Sequence, residues 1–247
     1  MPDAAVLFLA ACGTALATGL GAIPVFLLGE RAEQLTPLLL GFAAGVMGVA
    51  SIAGLLIPAL EEGSNGAVAL GLALGVALLL VARRRLDAHT HFMGRSGPGV
   101  RTSALVFLVL LVHSLPEGLA IGSAFASERA GLSAFVILAI AIQNVPEGTS
   151  VAIPMAASGF GRSRQFWAAV ATSAPQPVGA LVAFALVEQV EALLPVSFAF
   201  AAGAMLALIV VELLPRAYSG TDRGGPSAGI VAGAAIMLGL SFALGVQ

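Results

Sequence analysis

Two strings with a shared core carry most of the chemistry in this sequence: His113-Ser114-Leu115-Pro116-Glu117-Gly118 and Gln143-Asn144-Val145-Pro146-Glu147-Gly148. Each lies near the middle of a long apolar stretch. His113 and Glu117 are four residues apart, as are Gln143 and Glu147, so each pair falls on one face of a helix. Ser114 and Asn144 precede the same glutamates by three and lie beside them. One imidazole nitrogen, two carboxylates and one amide oxygen make a ligand set suited to zinc, iron(II), manganese or cadmium. No thiolate or thioether is placed to favour copper(I). Met155, eight residues beyond Glu147, is read as packing.

Carboxylates at such depth need compensation. An ionised carboxylate at a bilayer centre costs about 2.5–3.5 kcal/mol on insertion scales, so two that face one another call for a cation. Pro116 cannot donate to the carbonyl of Val112, nor Pro146 to that of Ile142. Each helix should therefore hold a local kink and a spare acceptor, which lipid tolerates only beside a cavity. The plainer alternative is a buried polar network that pins two helices together and moves no ion. Two midplane glutamates are a costly way to achieve that.

The elements that must position these residues are membrane helices. Of 247 residues, 59% are hydrophobic and 10% charged, with mean hydropathy +1.02, far from the balance of soluble domains. A spanning helix needs about 20 mostly apolar residues. The chain offers eight such stretches, at 4–28, 36–60, 66–82, 103–127, 131–157, 165–187, 195–215 and 226–246. The predicted fold is an all-α membrane protein, one transmembrane domain over residues 1–247. Its 30 glycines suit helices that pack backbone to backbone. The first span is read as a permanent helix, because Met1-Pro2-Asp3 lacks the positive flank of a signal peptide. Cys12, the single cysteine, can form no internal disulfide and is read as packing.

All 11 basic residues are arginines, and ten fall in alternate connections. Arg31 follows span 1; Arg83, Arg84, Arg85, Arg95 and Arg101 follow span 3; Arg162 and Arg164 follow span 5; Arg216 and Arg223 follow span 7. Arg129 alone lies opposite. The positive-inside rule then puts the odd connections in the cytoplasm and both termini outside a cell (inner) membrane. The long cytoplasmic loop 83–102, rich in glycine, is expected to be mobile. Its Asp87, His89 and His91 could collect metal or simply be solvated. Glu61 and Glu62, at the outer end of span 2, are read as solvated charges that could attract cations by their field.

An internal echo suggests how the spans are arranged. Phe42-Ala43-Ala44-Gly45-Val46-Met47 in span 2 matches Phe200-Ala201-Ala202-Gly203-Ala204-Met205 in span 7, and the same offset pairs Leu55 with Leu213 and Leu56 with Leu214. The two spans enter from opposite sides. The sequence thus predicts an inverted repeat of spans 1–3 and 6–8 around a central pair, spans 4 and 5, as in many secondary transporters.

At the two Pro-Glu-Gly strings the chain resembles the ZIP (Zrt/Irt-like) family of divalent metal transporters, and is similar to its bacterial GufA-like branch. The resemblance covers the eight spans, the outward termini and the long loop between spans 3 and 4. It implies uptake of zinc or a related dication into the cytoplasm through a binuclear site, by an elevator-like movement of one helix group against another. The first metal position implied takes His113, Glu117, Gln143 and Glu147. The second implied position takes a helix 4 Asn, a helix 5 Asp or Asn, and a helix 6 Glu; this chain has Ser114, Asn144 and Gln176. Two expected carboxylates are amides here, so one tightly held ion is expected, with Ser114, Asn144 and Gln176 forming at most a weak second site. Glu212 resembles the acidic member of a His-Glu exit relay, but Val211 stands where the histidine would be.

Two rival functions remain open at this point. An intramembrane metal-dependent hydrolase needs an open metal with three strong ligands, and the chain has one histidine within a span and no His-Glu-x-x-His string. A proton or monovalent cation transporter would use the same carboxylates, but would have no use for His113. Lipid and a divalent ion are the expected partners. No nucleic acid and no resident cofactor are expected, and a homodimer is compatible with the chain.

Overall fold

The computed structural model describes residues 2–85, 91–127, 129–221 and 223–246. Among these, eight helices are long and apolar enough to cross a membrane: α1 (Asp3–Leu28), α2 (Arg31–Glu62), α3 (Asn65–Arg85), α4 (Gly99–Ala126), α5 (Leu132–Ala157), α6 (Arg162–Gln189), α7 (Glu191–Ala217) and α8 (Gly224–Leu244). Each contains one of the eight stretches expected from hydropathy, apart from a few residues at the ends of some, and most run a turn further into the polar flanks. The loop between α3 and α4 is shorter than expected and is not all irregular. Residues His91–Phe92 (β1) pair antiparallel with Arg95–Ser96 (β2), through a turn in which Met93 and Gly94 have positive φ. Phe92 packs 5.2 Å from the ring of Phe107, and Arg95 donates to the carbonyl oxygen of Ser158 at 2.7 Å. The hairpin is thereby anchored to the ends of α4 and α5. Asp87 and His89, and the side chain of His91, lie outside the described residues.

Helix packing follows small residues. α2 lies along α8, α3 along α7, α4 along α6 and α1 along α5, while α4 and α5 pack on each other. Exchanging α1–α3 for α6–α8 and α4 for α5 turns this list of neighbours into itself. At the α2–α8 seam a Cβ on Gly41 would strike the Pro226 carbonyl, and one on Gly233 the Phe42 carbonyl. Without a hydrophobic drive between helices in lipid, such close backbone approach is what gains dispersion energy. Apolar side chains such as Leu27, Leu9 and Phe242 point outward, as lipid-facing residues should.

Two widened π-helical turns interrupt the pair that carries the echo, at Ile52–Leu56 in α2 and Ile209–Leu213 in α7. Each ends two residues before a proline, Pro58 or Pro215. Proline lacks the N–H for the carbonyl four residues back and clashes with it, and a widened turn relieves both problems. α4 and α5 instead continue as α-helix through Pro116 and Pro146.

Candidate metal centre

The four residues expected to bind the first ion do converge. α4 presents His113 and Glu117 one turn apart, and α5 presents Gln143 and Glu147 in the same way. All four are 0–2% exposed. His113 Nε2 lies 3.3 Å from Glu117 Oε1 and 3.4 Å from Glu147 Oε1. One potential ligand atom from each of these three residues lies within 4.8 Å of the others. Gln143 Nε2 donates to Glu117 Oε1.

Hydrogen bonding leaves this cluster incomplete. His113 Nδ1 and Gln143 Oε1 are buried without a hydrogen-bond partner, while His113 Nε2 and Glu147 Oε1 face each other at 3.4 Å without hydrogen-bond geometry. Each such orphan costs about 1–3 kcal/mol, and buried carboxylates cost more unless paired. A dication bound between them would accept lone pairs from imidazole, amide and carboxylate together, and would offset the charges of Glu117 and Glu147. The cluster has the donor set and the spacing to hold such an ion.

The residues of the expected weak second site are held by hydrogen bonds. Gln176, at the start of the second half of α6, donates through Nε2 to Glu117 Oε2 at 2.6 Å. Its Oε1 accepts from the Thr14 hydroxyl at 2.8 Å and from Asn144 Nδ2 at 3.3 Å. Asn144 Nδ2 also donates to the Thr14 carbonyl at 2.7 Å. Ser114 donates up its own helix to the Leu110 carbonyl at 2.9 Å. Amide hydrogens thus fill the space beside Glu117, so the second set of residues forms a network around the first.

Thr14 is the member of that network which the sequence concealed, since a threonine in an apolar span has no distinctive spacing by itself. Its companion Thr18, one turn on, hydrogen-bonds Ser173 at 2.6 Å. Together these polar positions mark the face of α1 that meets α6. The glycines of the two strings bring the neighbouring backbones in: a Cβ on Gly118 would collide with the Gln176 carbonyl, and one on Gly148 with the Thr18 carbonyl. Thr149 adds a bond to the Gly21 carbonyl at 2.7 Å. α1, α4, α5 and α6 are tied into one body at the level of the site.

The remaining acidic candidates lie apart. Glu212 sits on the π-helical turn of α7, between Arg83 at 3.4 Å and Arg216 at 3.7 Å. Its charge is already met by two guanidinium groups. Glu61 and Glu62 are not merely solvated: Arg129, on the α4–α5 connection, reaches them at 2.7 Å and 2.5 Å. Burial works against the charge of Arg129, but the two carboxylates outweigh it and raise the guanidinium above its ordinary range. Cys12 is a free thiol, partly buried in α1, and Met155 is fully buried packing, as expected.

A cavity of about 460 Å³ opens at the arginine-rich end, lined by residues that include Thr36, Val106, Ser150, Pro154 and Arg216. Ser150 is three residues from Glu147, about 4.5 Å along the helix axis. At the opposite end a cavity of about 510 Å³ includes Ala126 of α4 and Glu62. Ala126 is nine residues from Glu117, about 13.5 Å away along the axis. The site is nearer the arginine-rich mouth.

The ZIP Zinc transporter family model matches residues 87–241, which include both Pro-Glu-Gly strings. The chain is 37% identical to zinc transporter GufA of Myxococcus xanthus, with 93% of this chain and 95% of that protein covered. It is 36% identical to zinc transporter ZIPB of Bordetella bronchiseptica, over 93% and 78% of the two chains. Against zinc transporter ZupT of Salmonella heidelberg identity is 34%, covering 92% of both. Family model, full-length relatives and a buried His-Glu-Glu cluster on adjacent membrane helices agree: this chain belongs to the ZIP family of zinc transporters.

Proposed function

We propose that the protein carries zinc, or a closely related dication, into the cytoplasm, one ion at a time, through the site formed by His113, Glu117, Gln143 and Glu147. The observation that carries this reading is the convergence of unpartnered buried ligand atoms on three of those residues, with two carboxylates to balance one dication. The names of its relatives support zinc as the cargo, and membership of a transport family sets the hydrolase aside. Imidazole favours a transition metal over sodium.

The arginine-rich end faces the cytoplasm on the positive-inside rule, with both termini outside the inner membrane. The cavity that reaches Ser150, three residues from Glu147, supports an exit for the ion on that side. The inverted repeat of α1–α3 and α6–α8 is supported by the neighbour pairs and by the paired π-helical turns. Transport proceeds by α1, α4, α5 and α6 sliding as one body against α2, α3, α7 and α8. The site travels with the moving body because its hydrogen bonds run within those four helices. Purified protein in proteoliposomes, assayed for radioactive zinc, manganese and iron uptake with and without a pH gradient, tests the proposal. Absence of saturable zinc uptake in the wild type, or uptake that survives loss of both glutamates, would overturn it.

A further inference from the structure

Gln176 stands beside the site as a primary amide whose two ends have nearly the same shape. Sterics cannot choose between them, so its neighbours must. Glu117 Oε2, 2.6 Å from Gln176 Nε2, accepts hydrogen bonds only, as long as it is a carboxylate. The NH₂ end therefore faces Glu117 and the carbonyl end faces Thr14. The Thr14 hydroxyl has one proton and two acceptors at 2.8 Å, the Ala11 carbonyl and Gln176 Oε1. The one proton is shared between the two, and the bond it makes to Gln176 Oε1 ties the amide to α1. Thr14, Gln176 and Glu117 are 0–1% exposed, out of reach of bulk water.

We propose that Thr14 is a positioning residue for the transport site, acting on the metal through Gln176: its hydroxyl holds the amide so that Glu117 is fixed by one oxygen and offers the other to the ion. This rests on the reading of His113, Glu117 and Glu147 as the seat of the transported ion. Thr14 itself touches no metal. Partners that orient a ligating carboxylate commonly govern 10- to 100-fold in metal affinity, and an alpha-helical threonine two hydrogen bonds removed should govern a smaller part of that.

The test is a double-mutant cycle on zinc binding by the purified full chain, with thermal unfolding recorded for every variant. Gln176→Leu is expected to weaken zinc by about 10- to 100-fold. Thr14→Val, which keeps shape and the backbone carbonyl that receives Asn144, is expected to weaken it several-fold. Thr14→Ser should restore wild-type affinity. In the Gln176→Leu background Thr14→Val should have no further effect, because the group it positions is gone. Equal loss from Thr14→Val in both backgrounds, or no loss in either, would overturn the proposal, as would failure of Thr14→Ser to restore binding in a folded protein. Glu117→Gln is the arm that separates the two readings. If it leaves zinc affinity unchanged, the site assignment fails; if it abolishes binding while the cycle is additive, only the role of Thr14 fails.

Discussion

Gln176 Nε2 donates to Glu117 Oε2 across the seam between α4 and α6, at 2.6 Å. Where the family pattern calls for a carboxylate, this chain puts a hydrogen-bond donor against the carboxylate already present. With Glu117 and Glu147 ionised the pocket's charge is −2, enough for one dication. Purified wild-type protein should hold one tightly bound zinc per chain by elemental analysis. Asn144→Asp with Gln176→Glu restores two acids and should raise the count to two. Two ions in the wild type, or no gain in a folded double variant, would sink the charge argument.

Removing either glutamate should stop transport. Breaking a buried, charge-balanced arrangement costs about 3–5 kcal/mol, or roughly 10²- to 10⁴-fold in affinity. Glu117→Ala and Glu147→Ala should each reduce zinc uptake by about that factor, with the protein still folded in the membrane. Wild-type uptake in either variant would falsify the ligand set.

Acid should weaken binding. Imidazole and carboxylate must be deprotonated to ligate, so binding releases protons and affinity falls as pH falls. Zinc titrations at pH 7.5, 6.5 and 5.5 should show a monotonic loss. A flat profile would count against His113 and the two glutamates as ligands.

Packing at Gly148 should be intolerant. A Cβ there meets the Thr18 carbonyl, whereas one on Gly13 meets nothing within 4 Å. Overpacking of this kind costs about 1–3 kcal/mol, so Gly148→Ala should lower the unfolding temperature in detergent and Gly13→Ala should not. Equal stability of the two variants would show that α1 and α5 can separate freely.

If one body slides past the other as proposed, Arg129 must part from Glu61 and Glu62. With Cys12→Ala as background, Arg129→Cys and Glu62→Cys can be joined by a bifunctional thiol reagent of short span. The linked protein should lose uptake, and a cleavable linker should restore it on reduction. Full uptake by a protein shown to be linked would rule out a relative movement at that end of the seam.

Much of this architecture was legible because lipid imposes a simple code. Hydropathy and length located all eight spans, and His113, Glu117, Gln143 and Glu147 stood out because strongly polar groups at that depth are expensive. Thr14 was missed for the converse reason: a hydroxyl can bond back to its own helix, here to Ala11, and so carries little penalty until a neighbour is known. Arg216 stands four residues from Glu212 and so beside it on the helix, but Arg83 and Arg129 reach their partners by tertiary approach, for which separation along the chain offers no rule. The π-helical turns had a signal in Pro58 and Pro215, but a proline alone does not say whether a helix kinks, breaks or widens.

The neutrality of Gln176 bears on how the membrane voltage would act on such a carrier. With Glu117 and Glu147 ionised, a bound dication brings the pocket to zero, so the loaded body feels almost no force as it moves inward. The empty body carries two negative charges, each worth up to about 2.3 kcal/mol per 100 mV across the full field. An inside-negative potential pushes those charges outward. In this chain the potential would therefore drive uptake by resetting the empty site to the outer face, and would do little to pull the metal itself.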